Sequence, residues 1–256
     1  RNKVFDEASE GIRNIIKSNT GLFQQEQIME IFNICNEALK SQEMTTINSS
    51  CLLIQTLFVQ YYDLLKDSLS EVLSQLLQLF ASSKDLTRTH KFLLSTMGSL
   101  LQLKKEKEEG ELDPQLDEAL YQMMKNVLAT PIDYRQYEYA NELYFGLCSL
   151  YRGYLEVYKE DLHKMESIIP DKCSKERMQL TLLKLIATNL TKIPVLEDDT
   201  LCEYLIDVYR AAEKCSSANN LLLNNAVIQK FVRFAIDERP ALSQLAKKVK
   251  TISSNR

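Results

Sequence analysis

Between Ser68 and Phe80 the apolar residues Leu69, Val72, Leu73, Leu76, Leu77 and Phe80 recur three and four positions apart. Ser70, Glu71, Ser74, Gln75 and Gln78 fill the places between them. Side chains with that spacing share one face of an α-helix, so the segment has an apolar stripe to bury and a polar side to keep in water. Asp67 or Ser68 can cap its start. The same period runs through most of the chain, and little interrupts it. Only 6 Gly and 5 Pro occur in 256 residues, against average usage of roughly 7% and 5%, so the residues that punctuate hairpins and long loops are scarce. The chain reads as all-α, and its 45% hydrophobic content is ample material for a core.

About twelve helices are expected on this grammar. The first two cover Val4 to Lys17 and Leu22 to Lys40, with Ser18-Asn19-Thr20-Gly21 between them supplying a C-cap and an N-cap. A third covers Ile47 to Leu65, its start blurred by Thr45, Thr46 and Asn48-Ser49-Ser50, and its partner is the helix of Ser68 to Phe80. Asp85 and Thr87 offer caps for a helix through Phe92, Leu93, Met97, Leu100 and Leu101. That helix runs out in the charged stretch 104–112, a solvated connection or helix extension. Asp113-Pro114 restarts a helix through Leu116, Leu120, Met123, Met124 and Val127, with Asp as cap and Pro in the first turn. Residues 134–164 read as two helices broken near Arg152-Gly153. Further helices follow over Met178 to Leu190, Leu201 to Ala212, Leu221 to Ile236, and from Pro240 to Val249.

About twelve helices allot about 21 residues to each, so a helix pair takes about 43, inside the roughly 40–47 of HEAT and armadillo repeats. Over nearly its whole length the chain thus resembles the HEAT/armadillo superfamily of α-solenoids in period and hydrophobic pattern. The resemblance implies antiparallel helix pairs stacked into one continuous core, over residues 1–256 as a single repeat domain. A compact multi-helix bundle is the alternative architecture. Because the chain begins at Arg1 rather than Met, it reads as a piece of a longer protein.

Several function classes lose support at this level. The net charge is −4, with 31 basic and 35 acidic residues spread along the chain, so no basic field invites nucleic acid. Apolar runs such as Cys51-Leu52-Leu53-Ile54 end far short of the roughly 20 residues that span a bilayer, and no membrane insertion is expected. The six cysteines, Cys35, Cys51, Cys148, Cys173, Cys202 and Cys215, form no CxxC pair. They read as reduced thiols, mostly buried, in an intracellular protein, cytoplasmic or nuclear.

Catalysis near neutral pH usually recruits histidine, and the chain has two, His90 in Arg88-Thr89-His90-Lys91 and His163 in Asp161-Leu162-His163-Lys164. Neither sits in a recognisable motif. No phosphate-cradling loop, nucleophile elbow or HExxH string is present, so no enzyme, metal or cofactor is expected.

One local feature stands apart. Seven of the twelve tyrosines fall between Tyr134 and Tyr158, and Tyr137, Tyr144, Tyr151 and Tyr158 are spaced by seven. On a continuous helix they form one stripe, each ring offering apolar area and each hydroxyl a polar handle. Such a stripe packs against neighbouring helices or meets a partner. Asn220 and Asn224 share a helix face, and the armadillo resemblance implies that such asparagines hold an extended peptide's backbone; as ordinary residues they cap or stay solvated. Lys247, Lys248 and Lys250 suit a helix C-terminus through its dipole. The function expected is a noncatalytic scaffold that binds another protein or peptide segment within a complex. A bundle for assembly or oligomerisation, or an enzyme with its site hidden among helices, are the competing classes.

Overall fold

The computed structural model describes residues 2–83, 89–107, 112–129, 137–158, 187, 197–214 and 225–254. Every regular element among them is helical. The α-helices are α1 Asn2–Ser18, α2 Gln25–Ala38, α3 Met44–Leu65, α4 Leu69–Ser82, α5 Thr89–Lys107, α6 Pro114–Ala129, α7 Tyr137–Tyr158, α8 Asp198–Lys214, α9 Ala226–Glu238 and α10 Ser243–Ser254. Single 3-10 turns occur at Lys66–Ser68 and Pro240–Leu242. The described helices are fewer than the twelve or so expected; of the segment 178–190, only Ala187 is described, and it is helical and buried. Asp85, Thr87, His163, Cys173, Cys215, Asn220 and Asn224 lie outside the described residues.

Local chemistry accounts for the helix ends. Asp113 caps α6 by accepting from the backbone N–H of Gln115 (3.0 Å) and Leu116 (3.1 Å), with Pro114 in the first turn as expected. Asn225 does the same for α9, accepting from Val227 N (3.1 Å) and Ile228 N (3.4 Å). α2 starts at Gln25, later than the expected Leu22. The Asn19 side chain is spent on the N–H of Gly21 (3.2 Å), closing a turn. Gln24 then takes the cap position, its N–H donating to the Gln27 side-chain oxygen (2.9 Å). α3 begins at Met44, ahead of Ile47, and two of its hydroxyls turn back onto its own backbone. Ser50 Oγ donates to Thr46 O (2.8 Å) and Thr56 Oγ1 to Leu52 O (3.0 Å).

Backbone contacts gather the helices into two units, Arg1–Asp117 with Ser149–Tyr158, and Glu118–Cys148 with Lys159–Arg256. In the first, α3 is the centre. It packs against α1, α2 and α5, and α5 in turn packs against α4. Cys51, Leu53, Ile54, Leu57, Phe58, Tyr62 and Leu65 are buried around much of the circumference of α3, as befits a helix with neighbours on three sides. Phe32 of α2 meets Phe58 of α3 edge to face at 5.9 Å, a geometry favoured by the ring quadrupoles. Helices two apart in the chain, α1, α3 and α5, are therefore neighbours in a row, with α2 flanking α3 and α4 flanking α5. Polar ties repeat the pattern: Gln55 of α3 donates to Thr96 of α5, and Gln75 of α4 donates to the Asn36 carbonyl of α2 (3.1 Å).

The C-terminal half of α7 belongs to this unit and approaches α5 at two glycines. A Cβ placed on Gly98 would stand 2.7 Å from the Ser149 carbonyl carbon and 3.0 Å from Leu150 Cα. One on Gly153 would stand 2.8 Å from the carbonyl carbon and Cα of Gly98. α7 runs unbroken through Arg152 and Gly153, so the expected break there is corrected. Gly153 serves close approach of two backbones, the use of glycine that needs no side chain rather than a turn.

In the second unit α10 packs against α8 and α9, and the turn Pro240–Leu242 touches all three. Tyr204 and Phe231 meet edge to face at 4.8 Å in its interior. Arg239 pairs with Asp198 at 2.9 Å and lies over the Phe234 ring. The last helix opens as a 3-10 turn at Pro240–Leu242 and becomes α-helical from Ser243; Pro suits the first position because the N–H it lacks has no partner at a helix start.

Candidate interaction surface

Among the described residues the thiols and the imidazole are mostly packed away. Cys35, Cys51 and Cys148 are buried, Cys202 is half-buried, and none of the four is in a disulfide. Burial pushes the Cys35 and Cys51 thiols up to about 12. At Cys202 burial, then the carboxylates of Glu203, Asp199 and Asp198, raise the pKa. Thiolates are therefore disfavoured at these positions. Among the described residues no three His, Cys, Asp or Glu side chains come together as metal ligands.

His90 is 4% exposed, its ring 4.5 Å from that of Phe80 and its Nε2 against Ser83 Oγ. Burial lowers its pKa, which keeps the imidazole neutral. Ser83 Oγ also donates to the Phe80 carbonyl (3.0 Å). The pair closes the C-terminal end of α4.

The tyrosines of α7 divide by position. Tyr144 and Tyr151 are each 1% exposed and Tyr154 is 3% exposed, so their rings fill the interior and present no open face to a partner. Tyr137 and Tyr158 lie in the described backbone of α7, but their side chains fall outside the described ones. Asn220 and Asn224 cannot be placed, being outside the described residues; their neighbour Asn225 is an N-cap. Lys247, Lys248 and Lys250 are exposed on α10.

A surface absent from the sequence reading lies on α2. Ile28, Phe32 and Cys35 form its buried stripe, and residues from the rest of its circumference line an open groove of about 760 Å³. Met29 and Ile34 of α2 with Leu64 of α3 are its apolar part, and Glu26, Glu30 and Glu37 its charged part; Gln25 and Asn33 complete it. Ile34 is 53% exposed. α3 leaves helical geometry at Tyr61 (φ −129°, ψ 40°), where the Tyr61 hydroxyl donates to the Thr20 carbonyl (2.7 Å). Leu64 sits in the turn after this kink. No basic residue lines the groove. Lys40 stands at one end, 2.6 Å from Glu37, while Glu26 and Glu30 form no ion pair among the described residues. The one signal available beforehand was Ile34, an isoleucine set opposite the core stripe of its own helix.

No protein family, no curated protein and no solved structure matches the chain. The likeness to HEAT and armadillo repeats accordingly rests on sequence period and hydrophobic pattern alone.

Proposed function

We propose that this chain is a noncatalytic scaffold of stacked helix pairs, of the HEAT/armadillo-like α-solenoid kind, that binds another protein. The observation that carries the reading is the row α1, α3, α5 with α2 and α4 on its flank. Each helix in such a row buries its stripe against the helix two positions on, so stacking can continue and the outer faces remain available. The free, buried thiols suit a reducing compartment inside the cell. Among the described residues no helix is long and apolar enough to cross a membrane.

Small-angle scattering tests the architecture. A compact globule of 256 residues has a radius of gyration of about 18 Å. Stacked pairs give a clearly larger value with an extended distance distribution. A radius near 18 Å for the monomer overturns the scaffold reading in favour of the compact bundle.

A further inference from the structure

We propose that the groove on α2 receives a basic amphipathic helix of a partner protein. This rests on the scaffold reading and names the occupant of one of its surfaces. The apolar contact comes from Met29, Ile34 and Leu64 in the lining, and Ile34 is more exposed than buried. The volume of about 760 Å³ accommodates several apolar side chains, as a helix face presents them, rather than one anchoring residue. The acidic residues between Met29 and Ile34 around the helix supply the sign. Glu26, Glu30 and Glu37 run along one side of α2, and eleven residues at about 1.5 Å each set the outer two about 16 Å apart. Lysines or arginines at matching four- and seven-residue steps on a partner helix meet all three.

The same features reject other classes of occupant. Phosphate-bearing ligands, whether nucleic acid or anionic lipid, meet three carboxylates and no basic residue in the lining. An extended peptide gains most by adding a strand to a sheet edge, and the described residues contain no strand. A helix makes its backbone hydrogen bonds internally and needs from the groove only side-chain contact. Glu37 has Lys40 as a competitor, so Glu26 and Glu30 carry more of the charge recognition.

The test is fluorescence anisotropy on the whole chain with a labelled probe, an about 18-residue amphipathic peptide with leucines at i, i+3, i+4 and i+7 and lysines flanking them. A charge-inverted version bears glutamates in place of the lysines. The basic probe binds and the acidic probe does not, and raising salt from about 0.05 M to about 0.5 M weakens binding several-fold. The Glu26→Lys, Glu30→Lys double variant weakens the basic probe tenfold or more and admits the acidic one. Ile34→Asp weakens it similarly. Both changes are at exposed positions, and an unchanged circular-dichroism melt shows that folding is intact. Absence of binding by the basic probe, equal binding of both probes, or equal binding by the variants overturns the proposal. A large radius of gyration with no probe binding removes the groove and leaves the scaffold; a compact radius with selective binding removes the scaffold and leaves the groove.

Discussion

The two glycines at the α5–α7 crossing give the same substitution opposite signs at different places on the molecule. In a helix interior Gly→Ala stabilises by about 1 kcal/mol through reduced backbone freedom and better helix propensity. Gly11 in α1 has nothing within 4 Å of an added Cβ, so Gly11→Ala gains that amount or somewhat less. At Gly98 the new methyl stands 2.7 Å from the Ser149 carbonyl carbon and 3.0 Å from Leu150 Cα, and at Gly153 it stands 2.8 Å from Gly98 backbone. Ordinary contact begins at 3.4 Å, and the obstacle is helix backbone, which cannot rotate aside as a side chain can. The helices must part by a substantial fraction of an ångström, and overpacking of this kind costs typically 1–3 kcal/mol or more. After the propensity gain of about 1 kcal/mol, a net loss of up to about 2 kcal/mol is expected for each. Each kcal/mol lowers Tm by about 2–4 °C in a chain of this size. Urea unfolding followed by far-ultraviolet circular dichroism reads the change as a shift in midpoint. The double variant loses less than the sum of the singles, since the first methyl already opens the space the second needs. If Gly98→Ala and Gly153→Ala raise the midpoint as Gly11→Ala does, the two helices do not cross at these residues.

Three further outcomes follow from groups whose surroundings are defined. His90 has a folded pKa below its ordinary value of about 6.5, so the unfolded chain binds the proton more readily. Its contribution is present above pH 6.5 and lost as pH falls from there through the folded pKa. A His90→Gln variant shows a shallower fall in stability below pH 6.5, measured by urea titration at a series of pH values, and parallel profiles would refute the assignment. Asn225→Ala removes the cap of α9 and costs about 1 kcal/mol, whereas Asn225→Asp retains it; equal thermal melts for the two variants contradict the capping geometry. Cys35 and Cys51, pushed up to about 12, resist alkylation at pH 8 in the folded protein and react once urea unfolds it. Peptide mapping that finds Cys51 labelled in the native state at the rate of a free thiol counts against its burial.

Much of the fold was legible because amphipathic helices advertise themselves locally. The stripe Leu69, Val72, Leu73, Leu76 and Phe80 is buried as its spacing requires, and Asp113-Pro114 opens α6 with the hydrogen bonds that pair of residues suggests. Where sequence reading failed, the missing information was tertiary. Gly153 looks like a break because glycine weakens an isolated helix, and only the passage of α5 explains why it is kept inside α7. The tyrosine stripe was no failure but an open choice between packing and partner, since spacing fixes which residues share a face, not what that face meets; Tyr144 and Tyr151 lie inside.

The groove on α2 is the sharpest case of the same limit. Read alone, α2 has a core stripe of Ile28, Phe32 and Cys35 and a remainder that looks solvated, with three glutamates and no basic residue. Met29 is one step from the stripe and Ile34 is opposite it, so neither belongs to a single amphipathic face. Leu64 comes from another helix, thirty residues on from Ile34, and lies beside them only because α2 flanks α3 and α3 bends at Tyr61. Burying Ile34 would therefore require material that α2 and α3 do not provide. A surface assembled from apolar residues of two helices and acids of one carries a chemical preference that no segment of the chain displays separately. Reversing the charge of Glu26 and Glu30 should redirect that preference while the stripe that holds α2 to α3 stays untouched.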